Sequence, residues 1–172
     1  MKHDFVMPIA VLTIICIVVA GALALMNSFT APVIDAAAAD RAFVSMTQKI
    51  PDATGFTPVS TDGLPRAIRA VYSTDNNVGY IFIISVNGFS GEIRVMCAID
   101  NDGRIVSSST LQHTETQGIG TILDQASFTG QFDGKDESLD DVFTVTGATI
   151  STAAYKNAIR EAFAAFDIVT GG

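Results

Sequence analysis

Residues Gly79 to His113 read "GYIFIISVNGFSGEIRVMCAIDNDGRIVSSSTLQH". Three apolar-rich runs, "YIFIISV", "EIRVMCAI" and "RIVSSSTL", are separated by "NGFSG" and "DNDG". Short runs of this kind, bounded by Gly, Asn and Asp, are strands joined by tight connections, and they predict an antiparallel meander. In "EIRVMCAI" a period of two places Ile93, Val95, Cys97 and Ile99 on one face, so Cys97 reads as a small buried apolar residue. Asp100 to Gly103 has the chemistry of a tight turn, with Gly103 able to take a positive φ.

Working outward, "AIRAVY" and "DNNVG" add a strand and a turn upstream. Downstream, "STAAYKNAIREAFAAF", Ser151 to Phe166, carries Tyr155, Ala158, Ile159, Ala162, Phe163 and Phe166 at spacings of three and four. That spacing predicts an amphipathic helix packed on the sheet, with Lys156, Asn157, Arg160 and Glu161 turned to solvent. Residues 33 to 50, "VIDAAAADRAFVSMTQKI", are rich in helix formers and end at Pro51, which reads as a stalk helix. The predicted fold class is α+β: an antiparallel sheet meander with flanking helices, preceded by one N-terminal transmembrane helix.

That last element rests on "FVMPIAVLTIICIVVAGALALM", Phe5 to Met26, about 22 residues without a charged side chain and long enough to cross a bilayer core of roughly 30 Å. A cleaved signal has a shorter apolar core set next to its cleavage site, whereas the small residues Ala36 to Ala39 lie some ten residues beyond this run. Lys2 precedes the run and no basic residue follows it until Arg41, so the N-terminus is expected in the cytoplasm and the domain outside. The expected division is 1–30 as cytoplasmic stub and span, and 31–172 as one extracytoplasmic domain. Of ten Lys or Arg only Lys2, and of eighteen Asp or Glu only Asp4, precede the span, leaving nine against seventeen and the whole net charge of −8 beyond it. Such a surface does not attract nucleic acid. With Cys16 in the span and Cys97 in a strand, neither a disulfide nor a metal cluster is expected, and no metal ligand set is assigned.

Two stretches carry chemistry. "VTGATIST", Val145 to Thr152, sets the hydroxyls of Thr146, Thr149, Ser151 and Thr152 around Gly147 at a helix start. A helix start leaves backbone N–H groups unpaired and carries partial positive charge, which suits a phosphate. The plainer reading makes Thr149 or Ser151 an ordinary N-cap. "LQHTETQGIGT", Leu111 to Thr121, sits where the meander ends. His113 and Glu115 there read either as a solvent-facing pair or as part of a site, and no nucleophile stands near for His113 to serve as a base, so no catalytic residue is assigned.

Taken together and in this order, "HTETQGIG", "TGATIS" and an apolar helix resemble the FMN-binding domain of the G subunit of the Rnf ion-translocating electron-transport complex, related to the C subunit of the sodium-pumping NADH:quinone oxidoreductase. The resemblance runs through nearly the whole chain, the N-terminal span included. It implies that Thr149 carries FMN through a phosphoester bond made by a separate flavin transferase, with Thr146, Gly147 and Ala148 shaping the loop. It places His113, Glu115, Thr116, Gly118 and Gly120 near the flavin. It implies an electron relay in the cell membrane, an oxidoreductase subunit whose partners are other subunits of the complex. Relatives often have Asp where this chain has Phe143, and Pro where it has Gln117. The rival expectation is a membrane-tethered binding or assembly module of the same fold without covalent flavin. A free-standing flavin reductase is disfavoured because no G-x-G-x-x-G follows a strand.

Overall fold

The computed structural model describes residues 11–24, 26, 53–118 and 120–171. The chain divides into two compact units, Met1–Arg41 and Ala42–Gly172. In the first, residues 11–24 and 26 are helical and their side chains are exposed. Among the described residues no helix is long and apolar enough to cross a membrane. The remainder of Phe5 to Met26 and the expected stalk helix at 33–50 lie outside the described residues.

The second unit is built on a five-stranded antiparallel sheet in simple sequence order. Its strands are β1 (Phe56–Val59), β2 (Ile68–Thr74), β3 (Gly79–Asn87), β4 (Glu92–Asp100) and β5 (Ile105–His113). The chain then passes through a 3-10 turn at Gly120–Asp124 and the short helix α1 (Ala126–Thr129) to the long helix α2 (Thr149–Thr170). The expected meander is therefore present, with β1 as an additional edge strand. Pro58 pairs with Tyr72 there, a position an edge strand tolerates because one side of the backbone needs no ladder donor. Gly103 closes the β4–β5 turn at φ +72°.

Strands β3 and β4 run in uninterrupted register from Gly79↔Asp100 to Asn87↔Glu92. Ile93, Val95, Cys97 and Ile99 share the face that α2 covers, packed with Phe82, Tyr155, Ile159, Ala162 and Phe166. Phe166 meets Tyr80 edge-on at 5.9 Å, and Tyr155 meets Phe128 edge-on at 5.2 Å. Burial pushes the Cys97 thiol far above its ordinary pKa, as befits a core residue. The opposite face is apolar too: Ile81, Ile83, Met96 and Ala98 are buried with Phe56, Ala70, Tyr72 and Leu111 against them. Burial on both faces explains why β3 reads as a near-continuous apolar run rather than an alternating one. Each fully buried large side chain contributes about 1.5–3 kcal/mol to this core.

Two expectations for α2 need correction. The helix begins at Thr149, not near Ser151, because Ser151 and Thr152 both turn inward and are buried in its first turn. Lys156, expected in solvent, is half-buried and its Nζ donates to the carbonyl oxygen of Val142 at 3.0 Å, tying the helix to the segment before it.

Candidate functional site

The loop that delivers the chain into α2 is a tight turn. Ala148 N–H donates to the Val145 carbonyl at 3.0 Å, with Gly147 between them at φ +88°. A four-residue turn with positive φ at its third position calls for glycine there. No heavy atom lies within 4 Å of where a Cβ on Gly147 would stand, so this side of the turn is open.

The four hydroxyls of "VTGATIST" divide into two pairs. Thr152 is buried; its hydroxyl accepts the Val145 N–H at 3.2 Å and donates to the Ala148 carbonyl at 2.8 Å, locking the turn onto the helix. Ser151 is buried and donates a short hydrogen bond to Glu115 Oε2. Thr146 and Thr149 are both exposed, and the Thr149 hydroxyl makes a long contact of 3.4 Å to the Val145 carbonyl. Neither Thr149 nor Ser151 is the N-cap: that position is Ala148, and no side chain caps the helix. The first-turn amides therefore lack an intrahelical acceptor, and no acidic residue sits in that turn. A threonine hydroxyl at the surface of an uncapped helix start fits a phosphate ester, whose negative charge the helix end favours.

Glu115 is not a solvent-facing residue. It is 7% exposed, and Oε1 accepts the Ser90 N–H at 2.9 Å from the turn between β3 and β4. Burial by itself raises its carboxyl pKa. The Ser151 hydroxyl and the backbone N–H groups of Ser90, Gly91 and Phe89 outweigh that and hold it below the ordinary 4.5. The space around it is tight. A Cβ on Gly120 would run into the Glu115 Cβ, and one on Gly88 would run into Oε1. These glycines are cradle walls that leave room for a carboxylate.

The rest of the loop supports Glu115. The Nδ1 of His113 accepts the Glu115 N–H at 3.2 Å, which leaves the ring proton on Nε2, 3.1 Å from Asp124 Oδ2. Thr116 Oγ1 lies 3.2 Å from Ser90 Oγ. Gly118 sits exposed at φ +90°. Thus His113, Glu115, Thr116 and Gly120 gather in one place and reach the Thr149 turn through the Glu115–Ser151 bond.

Beside Thr149 opens a cleft of about 280 Å³, lined among the described residues by Phe89 and by Gly147, Ala148, Thr149, Ile150 and Ser151. Phe89 is 66% exposed at the tip of the β3–β4 turn. No reading of the sequence singles it out. The only local signal is an aromatic residue inside a Gly-bounded turn, where polar residues are the rule.

A hairpin turn, a glycine-rich loop and an uncapped helix start meet here, and the FMN-binding domain family matches residues 88–164, from that turn through most of α2. The chain is 30% identical to the G subunit of the ion-translocating oxidoreductase complex of Methanosarcina acetivorans, over 90% of each chain. It is 26% identical to the G subunit of the Na(+)-translocating ferredoxin:NAD(+) oxidoreductase complex of Acetobacterium woodii, over 87% of this chain and 86% of the relative. A third relative, the G subunit of the proton-translocating ferredoxin:NAD(+) oxidoreductase complex of Clostridium ljungdahlii, is 29% identical, but the match spans only 60% of this chain and 61% of that protein. The chain belongs to the family of G subunits of ion-translocating oxidoreductase complexes.

Proposed function

We propose that this chain is the membrane-anchored flavoprotein subunit of an Rnf-type ion-translocating oxidoreductase, with FMN esterified to Thr149 and electrons relayed between neighbouring subunits. The observation that carries this reading is the Thr149 hydroxyl standing beside an open cleft on a helix start that no side chain caps. A bound flavin supplies one- and two-electron chemistry. The protein's own residues bind and position: the turn amides and first-turn amides of α2 would hold the phosphate, Gly147 keeps the approach open, and Thr152 and Glu115 hold the turn still. No acid or base is needed at the site: His113 is engaged with the Glu115 N–H and Asp124, and Glu115 with the Ser90 N–H and the Ser151 hydroxyl.

Phe5 to Met26 crosses the membrane in this reading, with the N-terminus cytoplasmic and the FMN domain on the extracytoplasmic side. Small residues Ala20, Gly21, Ala22 and Ala24 allow that helix to pack closely on multispan partner subunits. A flavin transferase performs the maturation. An ester keeps the flavin on a domain that has no pool of FMN around it to recapture.

Intact mass tests the attachment. Coexpression with a flavin transferase is expected to add about 438 Da, one FMN less one water, and Thr149→Val is expected to abolish the gain. An unchanged mass under conditions that load a known acceptor sinks the proposal and leaves the binding-module reading.

A further inference from the structure

The cleft beside Thr149 lies between the start of α2 and one aromatic residue. One side is the Gly147–Ser151 segment, Ile150 included, and the other is Phe89, 66% exposed at the tip of the β3–β4 turn. Both walls answer to a single group. The Glu115 carboxylate takes the Ser90 N–H, next in sequence to Phe89, with one oxygen and the Ser151 hydroxyl of α2 with the other. Thr116 and Ser90 add a second tie between the Glu115 loop and the Phe89 turn. The spacing between Phe89 and the helix start is therefore fixed by hydrogen bonds centred on a buried carboxylate, while the space between them is left open. A gap of that construction takes a flat apolar group delivered from Thr149 itself.

The geometry points to Phe89 as the face on which the isoalloxazine ring of a Thr149-linked flavin stacks, with Glu115 as the positioning residue that holds the Phe89 turn against the start of α2. This rests on the attachment proposed above. Offset or edge-on packing of a phenyl ring on an extended π-system is favourable at centroid separations of roughly 4.5–7 Å, and stacking fixes ring orientation without any hydrogen bond to the flavin.

The test uses the absence of tryptophan from the chain. An indole in van der Waals contact with a flavin quenches its emission by donating an electron to the excited ring; a phenyl ring does not. Full-length chain is loaded by coexpressed transferase, and loading is verified by mass. Phe89→Trp is expected to lower the emission per flavin severalfold relative to wild type. Ile168→Trp places an exposed indole near the far end of α2, nineteen residues and about 28 Å along the helix from Thr149, and is expected to leave emission unchanged. Phe89→Ala is expected to load to the same mass while losing most of the circular dichroism in the flavin's visible bands. A loaded Phe89→Trp chain that emits as brightly as Ile168→Trp overturns the stacking assignment alone. Failure of the wild-type chain to acquire flavin overturns the Thr149 reading and the stack with it.

Discussion

At the scale of single residues, the site turns on groups that hold rather than react. Glu115 is the clearest. Its folded carboxyl pKa lies below 4.5, so the stability it confers is complete above that pH and is lost as pH falls from 4.5 through the lower folded value. Thermal melts of the wild-type chain are expected to decline steeply with acid below pH 4.5, and Glu115→Gln, which does not titrate, is expected to melt lower at neutral pH with a shallower acid limb. Equal acid limbs in the two proteins would refute the assignment. Gly147 offers a second check. Gly147→Ala meets no steric obstacle, so its cost is the left-handed backbone alone, about 1–2 kcal/mol, measurable by denaturant unfolding. Little of this is legible in the sequence. "HTETQGIG" marks a loop of interest, but the pairing of Glu115 with Ser151 joins residues 36 apart, and no local pattern encodes it. Phe89 escapes notice for the same reason: only the approach of the Thr149 turn makes an exposed aromatic meaningful.

At the scale of elements, periodicity carries the reading and chain chemistry blurs its edges. β2 through β5 follow from apolar runs and their turns, and the buried stripe of α2 from spacings of three and four. β1 does not stand out because "FTPV" is short and contains Pro58, and the start of α2 reads two residues late because Thr and Ile are weak helix formers. Here Ala148 precedes the helix and the two buried hydroxyls stabilise its first turn from inside. The apolar face of α2 closes the main core over the sheet. Ile159→Ala, at a fully buried position facing the sheet, is expected to cost about 2–5 kcal/mol. Lys156→Ala removes one charged hydrogen bond to the Val142 carbonyl and is expected to cost about 1 kcal/mol. Denaturant midpoints of the two variants rank them; the reverse order would mean that the tie before the helix, not its apolar face, seats α2.

At the scale of the whole molecule, the chain combines an uncharged N-terminal run with a following region carrying all of the net charge of −8. Full-length protein is expected to remain in the membrane fraction through alkaline carbonate washing, whereas a chain beginning at Ala42 is expected in the supernatant; release of the full-length protein would refute the span. The bare start of α2 has one further consequence. Natural helices usually bring their own cap, and this one leaves the position to Ala148. On the attachment proposed above, the flavin phosphate would take the place of the missing cap, and maturation would stabilise the fold as well as install the cofactor. Placing an anion there is worth about 0.3–2 kcal/mol, so the loaded domain is expected to melt a few degrees above the unloaded one. On the attachment proposed above, finished and unfinished subunits would then differ in stability at the start of this helix, a physical basis for telling one from the other.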